Sequence, residues 1–290
     1  MRVLWTAAAI LAITQGACMG HGQEAMPAGQ LVREVVFNEL NDHQAHGYWR
    51  YWIEHRTAKE TLVEDQVETK DGPVNRVTLT DGHAPSPETQ QQEQERLQRL
   101  LSSPSEQARH LQEYEEDEKR IGRILALLPD AFLYEYAGEE DGCHKLNFHP
   151  NPAYPAHSIE ARIFHAMSGT LWVNTRSKRL ARLDAHVQDN LDFGYGILGR
   201  LYKGGWFQLE RSQVSATDWK TAHLEVHMMG RALMVKSFAK ETSETRGGFA
   251  PVPAGMNLAQ GMALLEQTMA VNKPQSKQAL IAPAALAMRR

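Results

Sequence analysis

The stretch that decides the fold is Met167–Asn174, with the sequence MSGTLWVN, together with Ala222–Met228, with the sequence AHLEVHM. In the first, Leu171 and Val173 share one face of an extended chain and the polar side chains share the other. In the second, Leu224 alternates with histidine and glutamate side chains in the same way. This period of two is typical of antiparallel strands that bury one face only.

The whole segment from Met167 to Phe249 repeats this pattern, with breaks at glycines. Earlier, Gly47–Thr57 is aromatic and β-prone, and Thr61–Thr69 and Val74–Thr80 flank an Asp-Gly hairpin signal. We therefore expect an α+β, mainly β protein built on one curved antiparallel sheet, an open half-barrel with an apolar and a polar face. The other predicted strands are 131–137, 143–148, 179–187, 190–202, 205–214, 219–229 and 231–240, with a turn at 138–142 and a loop at 247–255.

Two helices are predicted between the early strands. Ser86 precedes a proline and a glutamate, and Ser103 begins a capping box, so both serines mark helix starts. The predicted helices are 86–102 and 104–128, with Pro129 ending the second. The second carries an apolar stripe expected to lie over the sheet: Leu111, Tyr114, Ile121, Ile124, Leu125 and Leu128. Helical spacing also predicts helices at 30–41 and 257–270.

The amino terminus has the features of an export signal, predicted over residues 1–20. Arg2 is followed by the apolar run Val3–Ile13, which is too short to span a bilayer, and then by Gly16 and Ala17. Cleavage before Cys18 with lipidation of its thiol would make an outer-membrane lipoprotein anchored to the membrane. Ordinary cleavage between residues 17 and 25 would give a periplasmic or secreted protein.

Charge and cysteine content limit the possible partners and cross-links of the chain. With 31 basic and 35 acidic residues the net charge is −4, so the chain lacks the basic footprint of a nucleic-acid-binding protein. After export Cys143 is the remaining cysteine, so no intramolecular disulfide is expected. We expect a monomer with one domain over 28–256, including the helical insertion at 86–128, and a closing helix and loosely ordered tail over 257–290.

The candidate catalytic motifs lack the neighbouring residues or elements that their chemistry needs. The GxGxxG pattern at Gly194–Gly199 needs a helix behind it to bind a dinucleotide, but strand-like Trp206–Leu209 follows. Cys143 would need a histidine base, and His144 points to the opposite face if the segment is a strand. The Glu139–Asp141 carboxylates lie in the predicted turn. We therefore expect no catalytic residue and no cofactor.

Histidines on one strand face suggest an alternative. His223, Glu225 and His227 alternate along a predicted strand, and Asp184 and His186 do so on a nearby one. Such spacing can bind a metal if neighbours add ligands, which would make the protein a metal-dependent hydrolase. A solvent-facing sheet surface explains the same residues more simply, so we expect surface residues and no metal site.

The inward apolar side chains either line a ligand cavity under the helices or form an ordinary core. The candidate cavity residues are Trp49, Tyr51, Ile53, Leu171, Val173, Phe207, Leu209, Leu224, Val226, Leu233 and Val235.

The succession of export signal, helix, aromatic strand, inserted helices and β-meander resembles the outer-membrane lipoprotein carrier and sorting family (LolA, LolB and the N-terminal domain of RseB). The resemblance rests on Gly169–Asn174 followed by Arg179-Leu180 and covers residues 30–250. It implies an open half-barrel whose apolar cavity accepts acyl chains. It thus implies a non-enzymatic cell-envelope protein that binds a lipid, an acyl chain or a lipoprotein, or else an envelope-stress sensor that binds a partner protein. The charged insertion at 86–128 departs from the family, and no ligand-binding residue of the carrier is carried over.

Overall fold

The structure is a computed structural model that describes residues 26–41, 47–193, 199–232 and 236–267. Its helices are α1 (Ala28–Asn41), α2 (Pro87–Ser102), α3 (Pro104–Ala131), α4 (Ile159–Phe164) and α5 (Leu258–Gln267). Its strands are β1 (Tyr48–Thr57), β2 (Thr61–Val67), β3 (Val74–Thr80), β4 (Phe132–Glu140), β5 (Cys143–Pro150), β6 (Met167–Asn174), β7 (Leu180–Val187), β8 (Leu191–Phe193), β9 (Gly199–Leu201), β10 (Trp206–Gln213), β11 (Trp219–Ala232) and β12 (Lys236–Val252).

The described strands form one sheet of twelve strands in the order β3-β2-β1-β12-β11-β10-β7-β6-β5-β4, with β8 and β9 attached beside β11. Its pairings are antiparallel, and its two outermost strands, β3 and β4, do not meet. Because β1 pairs with β12, the amino-terminal hairpins join the last strand of the meander. The predicted α+β, mainly β architecture with an open antiparallel sheet and helices is confirmed.

Five leucines form a row across five neighbouring strands, from β5 to β11. Each leucine lies directly opposite the next in the strand register, and directly opposite residues project to the same face. The five are Leu146, Leu171, Leu183, Leu209 and Leu224. The face that the alternating pattern assigned to Leu171 and Leu224 is thus one continuous surface.

Three apolar clusters stabilise the fold. In the first, α1 and the end of α3 pack on β4–β7, and the apolar side of α1 is buried at Leu31, Val32, Val35 and Val36. In the second, α5 and Leu97 of α2 cover Val67 and Val74 of the outer hairpin. The third joins Trp49, Tyr51 and Ile53 of β1 to Val214 and Phe249. The β1–β2 region is therefore buried on both faces, because Val67 lies opposite Arg50 while Tyr51 lies opposite Gln66.

Pro129 does not end α3, contrary to the prediction. The helix continues to Ala131, with Pro129 inside it. A proline so close to the end removes one helical hydrogen bond only, and other segments satisfy two carbonyls of the last turn. The hydroxyl of Tyr134 donates to the carbonyl of Leu128 (2.7 Å), and the amide of Asn151 donates to that of Asp130 (2.9 Å).

The predicted turn at 138–142 is also wrong in extent. Glu139 and Glu140 belong to β4, and the turn is Asp141-Gly142, both with positive φ. Pairing with β5 keeps the two glutamates extended.

The loop predicted at 247–255 is also wrong in part, because Gly247–Val252 belongs to β12. Gly247 lies against the ring of Trp52, where a Cβ would come within 2.6 Å of Cζ2, so this glycine allows a close approach within the strand.

Smaller differences concern the second half of the chain. The strand predicted at 190–202 comprises β8 and β9, with 194–198 outside the described residues, and β11 extends to Ala232. The short helix α4 was not predicted. The export signal, Cys18, residues 268–270 and the tail lie outside the described residues. Of the helices that the structure describes, none combines the length and the apolar character needed to cross a membrane.

Gly169 is required for the close approach of β7 to β6, which gives the first prediction. A Cβ on Gly169 would lie 1.9 Å from the carbonyl oxygen of Asp184, so Gly169→Ala forces the two backbones apart. We expect a loss of about 1–3 kcal/mol or more in the free energy of unfolding, as for overpacked cores. Urea denaturation measures it. Gly29→Ala is the control, because beyond the neighbouring backbone of α1 no described atom lies within 4 Å of a Cβ at that position; an equal loss in both variants would contradict the role of Gly169.

Candidate ligand groove

Burial decreases along the leucine row. Leu146 is fully buried and Leu171 is 8% exposed beneath α1. Leu183 borders the same cluster, whereas Leu209 and Leu224 are half-buried and belong to none of the three clusters of described residues. Val226, opposite Phe207 in the adjacent row, is half-buried in the same way. The apolar face is therefore incompletely covered at β10 and β11.

Helix α3 runs from one margin of the sheet toward the other. Near its start, His110 lies against Gly72 in the β2–β3 turn, and near its end Leu125 and Leu128 join the cluster under α1. Its 28 residues correspond to roughly 42 Å of helix. Only part of the predicted apolar stripe of α3 is buried, because Ile121 is 52% exposed. We call the half-buried surface of Leu209, Leu224 and Val226 the open groove.

An ionic cluster bounds the open groove on the side of β1. The row continues from Leu224 to Glu244 on β12, then to His55 on β1. The His55 ring lies between two carboxylates, with Nδ1 3.4 Å from Glu244 and Nε2 3.6 Å from Glu64. Arg246 pairs with Glu244, and the amide of Asn75 donates to Glu64 (2.8 Å). The apolar row thus ends at a polar boundary.

The two carboxylates change the titration of His55. Contact with Glu64 raises the pKa of His55 above its usual 6.5, against the opposing effect of burial, and Glu244 adds to the increase. The same contact with His55 lowers the pKa of Glu64 below 4.5, with help from the Asn75 amide. Between pH 4.5 and 6.5, the His55 ring and the Glu64 carboxylate are therefore charged at the same time.

A buried ionic cluster fixes α1 over the covered end of the row. Glu39 accepts two hydrogen bonds of 3.0 Å from the Arg179 guanidinium and lies 2.6 Å from Arg211. It also accepts from the backbone N–H of Leu180. The Glu39 side chain is 10% exposed and that of Arg179 is 7% exposed. The cluster ties the end of α1 to β7 and β10.

The structure separates the predicted cavity residues into groups. Leu171 and Val173 are core under α1, with Phe207 bordering it, and Trp49, Tyr51 and Ile53 belong to the cluster of β1. Leu209, Leu224 and Val226 form the open groove, and Leu233 and Val235 lie outside the described residues.

Tyr51 is engaged by polar partners. Its hydroxyl accepts from Gln66 (2.6 Å) and donates to Glu68, which pairs with Lys220 (2.7 Å). Burial, with the nearby charge of Glu68, raises the pKa of Tyr51.

Sequence reasoning missed His55 and Glu39. His55 has the same parity as Ile53 in an alternating strand, so its inward direction was available from the sequence. Its partners were not, because Glu64 and Glu244 reach it from two other strands. Glu39 lies on α1 140 residues before Arg179, and no local pattern connects them.

On β10–β12 the opposite face of the sheet is polar, as predicted, whereas at β2 and β3 the same face is apolar and covered by α5. His223 contacts Thr245 (3.2 Å) and Glu225 (3.5 Å), while His227 contacts Glu241 (3.0 Å) and stacks on the Trp206 ring. Within the part of the chain that the structure describes, no group of three or more His, Cys, Asp or Glu side chains is arranged to hold a metal ion. These side chains make pairwise contacts.

Trp172 also lies on this polar face and is nevertheless buried. Arg182 and Lys145 cover its ring, at 4.5 and 5.2 Å from the centroid, and its indole N–H donates to Glu140 (2.9 Å). Cations shield the ring from water here.

Neither remaining catalytic candidate has a suitable setting. The Cys143 side chain is buried at the start of β5, and burial raises its pKa, which disfavours the reactive thiolate. His144 contacts Glu139 (3.0 Å). Of the GxGxxG pattern only Gly199 is described; it lies in β9, and β10 follows it.

Comparison with known proteins adds two distant structural neighbours. A DUF1329 family protein from Desulfovibrio piger is 11% identical, with a TM-score of 0.30, over 81% of this chain and 97% of that one. MucB, solved in complex with MucA(peri), is 11% identical, with a TM-score of 0.21, over 78% of this chain and 100% of that one. No protein-family model and no curated protein matches the sequence. Both TM-scores lie below 0.5, so neither neighbour indicates a function for this chain.

The Glu39 cluster predicts a large difference between two ion pairs of α1. Glu39→Gln leaves Arg179 and Arg211 buried without their carboxylate, and we expect a loss of about 3 kcal/mol in the free energy of unfolding. Asp130→Asn breaks the exposed pair with Arg33, whose side chains are 60% and 55% exposed, and should change it by less than about 1 kcal/mol. Urea denaturation of both variants tests this; equal effects would contradict a structural role for Glu39.

The His55 cluster predicts a pH-dependent contribution to stability. A raised pKa in the folded state stabilises the protein below pH 6.5, and the effect is lost as pH rises through the folded pKa. The lowered pKa of Glu64 stabilises the folded protein above pH 4.5. This contribution is lost as the pH falls through the pKa that Glu64 has in the folded state. The destabilisation caused by His55→Gln should therefore be greatest between pH 4.5 and 6.5 and should shrink toward alkaline pH.

Urea unfolding at several pH values measures this difference. His157→Gln, at an exposed position, is the control and should show no such trend. A His55→Gln effect that is constant with pH would contradict the pairing.

Proposed function

We propose that this protein is a non-enzymatic cell-envelope protein that binds a lipid, an acyl chain or the acyl chains of a lipoprotein in the open groove. The observation that carries the proposal is the decrease in burial along the leucine row. A row that begins fully buried at Leu146 ends half-buried at Leu224, on the same face and in unbroken register. An apolar surface that continues beyond its covering helices is suited to an apolar ligand.

The boundary of the open groove favours a ligand with one polar end. Leu209, Leu224 and Val226 would contact the apolar part. Glu244 and His55, next along the row, would lie beside the polar end and could donate or accept hydrogen bonds. Export, predicted from residues 1–20, would place the protein where such ligands are handled.

The hydrolase alternative has no comparable support. His223 and His227 contact different glutamates and lie on the polar face, away from the open groove. The described residues of this face do not converge on one point where a substrate would be activated.

The proposal predicts the effect of Val226→Glu. An unpaired carboxylate on an apolar surface is costly to cover, so ligand binding should weaken by at least about tenfold. Since Val226 is only half-buried, the variant should remain folded. Titration with cis-parinaric acid, a fluorescent fatty acid, measures affinity, and native mass spectrometry after gentle purification detects lipid that co-purifies with the wild-type protein.

Glu225→Lys, one residue away on the polar face, is the matched control and should bind as the wild type does. Val226→Ala should lose less than Val226→Glu. The proposal would be wrong if the wild-type protein neither carried lipid nor bound the probe, or if Val226→Glu bound it normally.

A further inference from the structure

The two outermost strands of the sheet differ in how their free edges are covered. On β3, the Arg96 guanidinium donates to the carbonyl oxygen of Asn75 (2.7 Å), and α5 packs on one face of the β2–β3 hairpin, where a Cβ on Gly261 would lie 3.0 Å from Val74. Side-chain capping and a covering helix are both ways in which natural sheets protect an edge.

Among the residues that the structure describes, the edge of β4 has no such cover. Its strand pairing is with β5, and no backbone hydrogen bond connects Phe132–Glu140 to another described segment. Most of its residues are exposed, including Leu133 at 44% and Tyr136 at 42%. An exposed strand presents N–H and C=O groups on which another strand can form, here on either side of the bulge between Tyr136 and Gly138.

Two shallow concavities follow one another along this edge. Phe132–Glu135 line the first, of about 440 Å³, with Arg33 and His149 beside them. Tyr136, Gly138 and Glu139 line the second, of about 390 Å³, together with Met26, Leu31, His144 and Lys178. Residues four apart on an extended chain are separated by roughly 13 Å. A peptide laid along β4 would therefore place side chains four residues apart, which project to the same side, in successive concavities, as in recognition by strand addition.

The charge of β4 selects among the possible partners. Its nine residues include three glutamates, at 135, 139 and 140, and no basic residue. Within the chain, Glu139 contacts His144 and Glu140 contacts Trp172 and Lys145. Opposite charges on neighbouring strands stabilise pairing, and like charges oppose it. Pairing of β4 with β4 of a second copy would bring these carboxylates together, whereas a basic strand would complement them.

We propose that the free edge of β4 is a docking site for an extended basic peptide segment, which would add a strand to the sheet. The ladder hydrogen bonds would provide sequence-independent affinity. The glutamates would select basic side chains, and the concavities beside Leu133 and Tyr136 would accept the apolar side chains between them.

A labelled peptide of alternating lysine and valine, nine residues long to match β4, is the probe, and fluorescence anisotropy with the purified full-length protein is the measurement. Two further peptides carry N-methyl groups on alternate amides, one set on each edge of the strand. A ladder uses one edge only, so we expect saturable binding of the parent peptide and at least about tenfold weaker binding of one methylated isomer than of the other.

The protein variants test the charges. Glu135→Lys combined with Glu139→Lys should weaken binding by at least about tenfold. Glu113→Lys combined with Glu116→Lys makes the same change in net charge on the exposed side of α3 and should leave binding within about twofold. Both pairs are at exposed positions, and circular dichroism confirms that the variants fold.

Several results would overturn the proposal. One is no saturable binding by the wild-type protein, and another is equal affinity for the two methylated isomers, which would indicate charge attraction without a ladder. Equal weakening in the two pairs of variants would do the same. Self-association of the wild-type protein that is altered by Glu135→Lys with Glu139→Lys would assign the edge to a second copy instead.

Discussion

The structure depends on the cross-strand register that aligns five leucines from β5 to β11. Because side chains alternate with a period of two, a slip of one residue in any of these pairings would move a leucine to the polar face. The bulges between Trp172 and Val173 and between Glu210 and Arg211 lie next to the row without interrupting it. The absence of a side chain at Gly169 brings β7 close enough to preserve the alignment.

The helices cover this row of leucines unequally, so one end of the apolar face is buried and the other is not. Helix α1 packs on β4–β7, so it covers the leucines of β5 and β6 and leaves those of β10 and β11 half-buried. The buried pairing of Glu39 with two arginines holds it at that end. The uncovered end is bounded by the charges around His55. Both ionic clusters therefore determine where the apolar surface stays open, one by fixing a helix and the other by ending the row.

Sequence reasoning succeeded where structure is decided locally. The alternation around Leu171 and Leu224 gave the correct faces, and the capping serines at 86 and 103 gave the starts of α2 and α3. Sequence reasoning failed where contacts with distant segments determine the local structure. Pro129 is accommodated because Tyr134 and Asn151 satisfy carbonyls of the last helical turn, and Gly247 continues a strand because Trp52 lies against it. Which inward leucines remain uncovered depends on the placement of α1, which is set by Arg179 and Arg211 far along the chain.

The open groove and the free edge of β4 lie on either side of α1, which borders both. Near its start, the hydroxyl of Tyr136 on β4 donates to the carbonyl of Met26, and near its end Glu39 binds β7 and β10. A ligand in the groove that acted on the edge through this helix would have to displace it, which requires separating a desolvated carboxylate from two guanidinium groups. That separation leaves buried charges unpaired and is strongly unfavourable. The helix therefore separates the two proposed binding surfaces, and we expect their ligands to bind independently.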